Sequence, residues 1–329
     1  MNRTVSGLFQ YSASVLHANR LTASGTVQFN PGGSMGASIT YSGTATLVYN
    51  TGAAVGLEWA SGSVVGAGVP RNVTIQAGTL LMPNSDRNVP GNLTIGTGSG
   101  LTLNGSQGNL IVGGNLTTSG TLTSMPALCG SPASAAQTIA GSSPVTLDNL
   151  ELNKTGGSVQ LLAGLTLTGT GATSLAYTGN TDVLDLNGRT LSMSGGIGGS
   201  SPAGAIKGSA TSNLVLNGVG AVGTMRFVSG SEQLGTFTLN RTGTAGAVTL
   251  GTALGVTTLN LTSGNLDREQ RRLDRASGGT VTRGAARSSA TCARACPRAP
   301  ARRWRSRSAR APCTRPWRSC SATSPRPAR

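Results

Sequence analysis

Apolar and polar residues alternate along most of the chain, in runs of only a few residues. Examples are "NVTI" (72–75), "NLTI" (92–95), "LTLNG" (101–105), "LDLNG" (184–188), "NLVLNG" (213–218) and "TLNLTSG" (258–264), each bounded by Gly, Asn or Ser. A period of two closed by turn residues predicts short β-strands with one buried face. No segment of useful length carries the 3.6-residue period of an amphipathic helix, so almost no helix is expected. The longest internal match sets "LELNKTGGSVQLLAGLTLTG" (150–169) against "FTLNRTGTAGAVTLGTALGVTTLNLTSG" (237–264). With about 22 residues to a repeat, the two lie four repeats apart. Asn153 and Asn240 are then expected at equivalent corners, with Leu152 and Leu239 in a common core.

This grammar predicts an all-β fold, a right-handed parallel β-helix or solenoid, over residues 1–267. Equivalent residues of successive coils would stack about 4.8 Å apart. Like charges repel at that spacing, whereas Thr suits an outer strand face and Asn can stack in hydrogen-bonded ladders. Gly allows the sharp corners. Leu150, Leu152, Val159, Leu161, Leu165, Leu167, Phe237, Leu239, Val248 and Leu250 are the predicted core. A string of immunoglobulin-like sandwiches is the competing fold, but it usually brings a buried Trp per domain, and Trp59 is the one Trp before residue 268.

Composition agrees with stacking. Charged residues make up 11% of the chain, against roughly 25% in ordinary domains, and 49 residues are Gly. The formal net charge of +16 is concentrated beyond residue 266, where every basic residue is Arg. The high charge therefore describes a tail, residues 268–329, and not the surface of the repeat body.

Candidate chemistry is sparse. "GVGAVG" (218–223) matches the dinucleotide-binding spacing, but "TMRFVSGSE" after it is strand-like where that site needs a helix; a Gly-rich turn is expected. Asp182 and Asp185 in "TDVLDLNG" could offer oxygens to Ca²⁺, yet too few ligands converge in the sequence, and a solvated turn is expected. The other acids of the body, Glu58, Asp86, Asp148, Glu151 and Glu232, are scattered, where hydrolysis of a glycan needs two carboxylates on one cleft. His17 is the single His. Cys129 stands alone in the body, and Cys292, Cys296, Cys313 and Cys320 of the tail are irregularly spaced and lack His, so neither a disulfide frame nor zinc is expected. Trp59 in "GLEWASG", with Tyr41 and Tyr49 nearby in sequence, is the candidate platform for a sugar ligand; the alternative is a Trp that covers the core. Catalytic residues, metal and cofactor are all expected to be none. The Asn-x-Ser/Thr tripeptides at Asn72, Asn92 and Asn240 follow from the repeat itself.

"YSGTATLVYNTGAAVGLEWASGSVVGAGVPRNVTIQAG" (41–78), "GNLTIGTGSGLTLNGSQGNLIVGGNLTTSGTLT" (91–123), "LNGRTLSMSGGI" (186–197) and "TLNRTGTAGAVTLGTALGVTTLNLTSGNLD" (238–267) resemble the β-strand-repeat proteins secreted by Bacteroidetes-type bacteria. The resemblance covers most of 41–267. It implies a large extracellular or surface-attached repeat protein with a structural or adhesive role and no enzymatic activity, whose partners would be surface glycans or other surface proteins. A polysaccharide-active β-helix enzyme is the alternative. Residues 1–20 lack the apolar run of a signal peptide and no stretch reaches the length of a membrane span, so the chain is expected to begin part-way through a longer secreted one. In the tail, Arg mixed with Pro, Ala, Ser and Cys without periodicity fits the out-of-frame reading of a GC-rich gene; a basic arm that binds nucleic acid is the other reading. No specific nucleic acid is expected as a partner. Within the tail, "SGGTVTRG" (277–284) keeps the repeat grammar and is expected to add a strand at most.

Overall fold

The computed structural model describes residues 3–12, 14–16, 21–103, 108–123, 128–130, 135–179, 181–200, 204–243, 247–268, 272–284 and 287–289. Among them every regular element is a strand, and every registered strand pair is parallel. The chain winds into a parallel β-solenoid of about 11 turns. Coils between Asn72 and Ile197 place strands on three faces, whereas 51–71 is a loop and the coils after Ala205–Lys207 place strands in two sheets; partners in adjacent coils lie about 23 residues apart, as Asn92 and Asn115 do.

One face is a ten-stranded sheet running from Leu8–Tyr11 to Ala205–Lys207. The second is a seven-stranded sheet from Val145–Leu147 to Leu273–Arg283, preceded by a three-stranded one that starts at Thr79–Leu81. The third is a six-stranded sheet from Arg87–Val89 to Ile197–Gly198, followed by four strands from Gly223–Met225 to Arg287–Ser289. Every face sends alternate side chains inward, and register places like on like. Val27, Leu47, Val73, Leu93, Leu116, Ile139 and Leu161 form one continuous ladder. Leu147, Leu167, Met193, Leu216, Leu239 and Leu261 form another. Burying each such side chain contributes about 1.5–3 kcal/mol, and the ten residues predicted for the core are all buried.

Polar stacking works at the corners. Oδ1 of Asn72 accepts the backbone N–H of Asn92 (3.0 Å), Oδ1 of Asn92 accepts that of Asn115 (2.8 Å), and Oδ1 of Asn115 accepts that of Thr138 (2.9 Å). Each amide thus supplies the hydrogen bond that the backbone loses where a strand turns. Aromatic side chains stack in the same way near the N-terminal end, with Tyr11, Phe29 and Tyr49 at ring separations of 6.3 and 5.9 Å.

Two expectations need correction. Leu152 and Leu239 do share the core, but they lie on different faces: Leu150–Leu152 belongs to the six-stranded sheet and Gln233–Asn240 to the seven-stranded one. The in-register counterpart of Leu239 four coils earlier is Leu147. All three faces are written in one strand-and-corner grammar, so sequence similarity alone does not reveal the face. In addition, the stacking runs past 267. Leu273–Arg283 pairs with Leu254–Ser263, and Arg287–Ser289 pairs with Asn265–Asp267, with Leu273 packed against the core. The readings of the tail beyond 289, including its cysteines, lie outside the described residues, as does His17.

The inward ladder predicts an asymmetric response to mutation. Leu239→Ala should lower the free energy of unfolding by about 2–5 kcal/mol. Thr238→Ala, one position away on the outer face, should change it by less than about 0.5 kcal/mol. Urea titration of both variants checks this.

Candidate functional sites along the solenoid

The feature that sequence reading missed lies in the corner motif shared by "LNKTG" (152–156) and "LNRTG" (239–243). In both, the basic side chain folds inward and is 1% exposed. The Arg241 guanidinium donates to six backbone carbonyls from two stretches of chain, 194–195 and 217–221: Nε to Gly220 O (3.0 Å), Nη1 to Ser194 O (2.7 Å), Gly195 O (3.1 Å) and Asn217 O (2.5 Å), Nη2 to Val219 O (2.6 Å) and Ala221 O (3.4 Å). Burial pulls its pKa below the ordinary arginine value. The five donors of a planar guanidinium suit a ring of carbonyls in a way an ammonium cannot match.

That ring explains "GVGAVG". Gly218, Gly220 and Gly223 take φ values of +88°, +78° and +90°, a conformation that favours glycine. The loop leads into the strand Gly223–Met225. A phosphate-binding loop turns its N–H groups toward an anion; this one turns carbonyls toward a cation.

Lys154 differs from Arg241 in its partners. Its Nζ donates to Ala135 O (2.6 Å) and to the side-chain Oε1 of Gln137 (2.8 Å). Gln137 is buried, and its Nε2 donates to Val112 O (3.0 Å) and Gly114 O (2.9 Å). Asp182, 0% exposed, accepts the backbone N–H of Lys154 (2.6 Å) and of Gly179 (2.6 Å). Burial raises the Asp182 pKa above the usual carboxylate value and lowers that of Lys154 below the usual lysine value. The Tyr177 hydroxyl is buried and makes no hydrogen bond.

The remaining acids are also built into the frame. Asp185 pairs with Lys207 at 2.9 Å and accepts Asn187 N–H at 2.9 Å. Asp86 accepts Asn109 N–H at 2.8 Å, Glu151 accepts the Thr178 hydroxyl at 3.0 Å, and Asp148 accepts that of Thr168. Asp182 and Asp185 are thus engaged separately. Among the described residues no group of three His, Cys, Asp or Glu side chains is placed to hold a metal ion.

Trp59 sits in the loop 51–71, which leaves the ten-stranded sheet after Thr46–Asn50 and rejoins it at Asn72–Ala77. The indole is 0% exposed, lies 6.4 Å from the Tyr49 ring and donates its N–H to Asn88 O at 2.9 Å. It continues the aromatic stack and leaves no ring face for a sugar. Within the loop, Glu58 is buried and accepts Tyr49 O–H (2.9 Å) and Gly56 N–H (2.8 Å), while Tyr41 donates to Glu58 O (3.0 Å). Burial, with the Glu58 charge second, pushes both tyrosines well above their usual pKa. This cluster anchors the loop.

Two acids do reach a common concavity. A groove of about 460 Å³ near the last described coils is lined by Glu232, Gln233, Leu254, Val256, Asp274 and Arg275. Asp274 is paired there with Arg272 at 2.6 Å. Compared with protein-family models, curated proteins and solved structures, the chain matches none. No helix among the described residues is long and apolar enough to cross a membrane.

The carbonyl ring makes a direct prediction. Arg241→Met should cost about 2–4 kcal/mol by orphaning buried carbonyls, and Arg241→Lys should cost less because an ammonium restores part of the donors. Thermal and urea unfolding of the two variants give the order; a Met variant as stable as the parent would contradict the assignment.

Proposed function

We propose that this chain is a non-catalytic stretch of a secreted bacterial surface solenoid, acting as a stalk, coat or adhesive element toward surface glycans or other surface proteins. The observation that supports this reading is the use made of the reactive side chains. Glu58, Asp86, Asp148, Glu151, Asp182 and Asp185 all serve as acceptors within the frame. Hydrolysis needs a carboxylate free to change its protonation state against substrate, and these are engaged in holding loops and corners. What the fold offers instead is about 11 stacked turns whose outward strand positions are mostly Thr, Ser and Asn.

The polysaccharide-active alternative has one specific support, the groove that gathers Glu232 and Asp274. Incubation of the protein with a panel of plant, algal and bacterial polysaccharides distinguishes the two. We expect no turnover, and retention of one or more glycans on an array for an adhesive element. Sustained turnover that disappears in Glu232→Gln or Asp274→Asn would overturn the structural reading.

A further inference from the structure

Arg241 and Lys154 follow the same Leu-Asn pair and both bury a basic group, yet their surroundings differ in one chemical respect. Arg241 meets backbone carbonyls only. Lys154 meets a carboxamide: its Nζ stands 2.8 Å from Oε1 of Gln137, in a site where Lys154 is 1% and Gln137 5% exposed. Among the described residues the ion pairs are Lys207 with Asp185 and Arg272 with Asp274, so the Lys154 amine is buried with neutral acceptors. Desolvation, opposed by the charge of nearby Asp182, shifts the balance toward the uncharged amine, which is the nucleophilic form.

We propose that Lys154 and Gln137 join in an intramolecular isopeptide bond, Nε-(γ-glutamyl)lysine, with loss of ammonia. The Nζ lone pair attacks Cδ of Gln137, forming the N–C bond. The attacking nitrogen sheds one proton, which ends on the departing amide nitrogen, and the Cδ–Nε2 bond breaks to release NH₃. One primary amine and one primary amide become one secondary amide and ammonia, with no oxidant or other reactant.

The geometry supplies what the reaction lacks in solution. Amines exchange with unactivated amides very slowly; here the amine is held against the amide, 2.8 Å from Oε1, so the bimolecular encounter is replaced by an intramolecular one and a rotation of the amine brings its lone pair to Cδ. Ala135 O holds the amine from one side. Val112 O and Gly114 O hold the leaving nitrogen and fix the amide plane. Asp182 is a positioning residue that clamps the Lys154 backbone to the next coil through the 2.6 Å bond. Burial also keeps water from competing for the carbonyl carbon. The product would tie one coil covalently to the next across 17 residues of sequence, at a corner where backbone pairing is interrupted.

Intact mass spectrometry of the full chain tests this. The expected mass is short of the sequence mass by one ammonia. Trypsin should fail to cut after Lys154, leaving Asn88–Arg189 as a single fragment with an internal loop whose fragmentation joins Gln137 to Lys154. In Lys154→Arg, which keeps a cation that Arg241 shows can be housed at such a corner, the full sequence mass should return. A wild-type mass equal to the sequence mass would overturn the proposal without any variant. So would an ammonia loss that persists in Lys154→Arg, or one that maps to a cyclised Asn187–Gly188.

Discussion

In-register parallel stacking is the constraint on which the rest of this structure depends. Each coil must offer its neighbour the same backbone groups and a compatible side chain at a spacing of about 4.8 Å. Inward, that selects Leu, Val and Ile, as in the ladder from Val27 to Leu161. Outward, it selects Thr and Asn and excludes repeated charge. At corners, where backbone pairing lapses, it requires a side chain that reaches the next coil, and Asn72, Asn92 and Asn115 do this in succession. The unusual composition follows from the same requirement.

Charge re-enters where coils depart from the repeat. The carbonyls of Val219, Gly220 and Ala221 in the Gly-rich turn, with those of Ser194, Gly195 and Asn217 beside it, find their donors in the one Arg241 guanidinium. The departure at Lys154 is met by Gln137 and Asp182, and the loop 51–71 is held down by Glu58 and Trp59. Buried Arg241, Lys154, Glu58 and Trp59 therefore mark irregularities of the winding, while Tyr11, Phe29 and Tyr49 stack within the regular sheet. In other folds the same residue types would mark a binding cleft, which is why a reading of Trp59 as a sugar platform was reasonable from sequence and is not where the ring lies.

Much of the fold is legible in the sequence because period two is a local signal. Leu150, Leu152 and Leu167 are each flanked by polar neighbours, Leu165 by Gly and Thr, and each points inward. The face to which a strand belongs is not local. "LELNKTG" and "FTLNRTG" look alike yet lie on different sheets, since a corner is written the same way wherever it falls in the turn. The burial of Lys154 and Arg241 was equally hidden, because a Lys or Arg between Asn and Thr normally reads as a solvated turn. The repetition of Leu-Asn-basic-Thr-Gly was the available signal. Composition places the end of the body at 267, while the alternation in "SGGTVTRG" (277–284) marks a further strand, which the structure adds within Leu273–Arg283.

The central claim, one continuous parallel stack, is tested most directly by a distance along the stack. Thr74 and Gln160 lie on strands four steps apart in the ten-stranded sheet, through Leu93–Ile95, Leu116–Thr118 and Gln137–Gly141. Spin labels at these two positions, read by double electron–electron resonance, should give a single narrow distribution centred at about 19 Å plus the reach of the labels. A broad distribution, or one centred well beyond about 30 Å, would contradict stacking at one rung per coil and would place the two segments in separate domains.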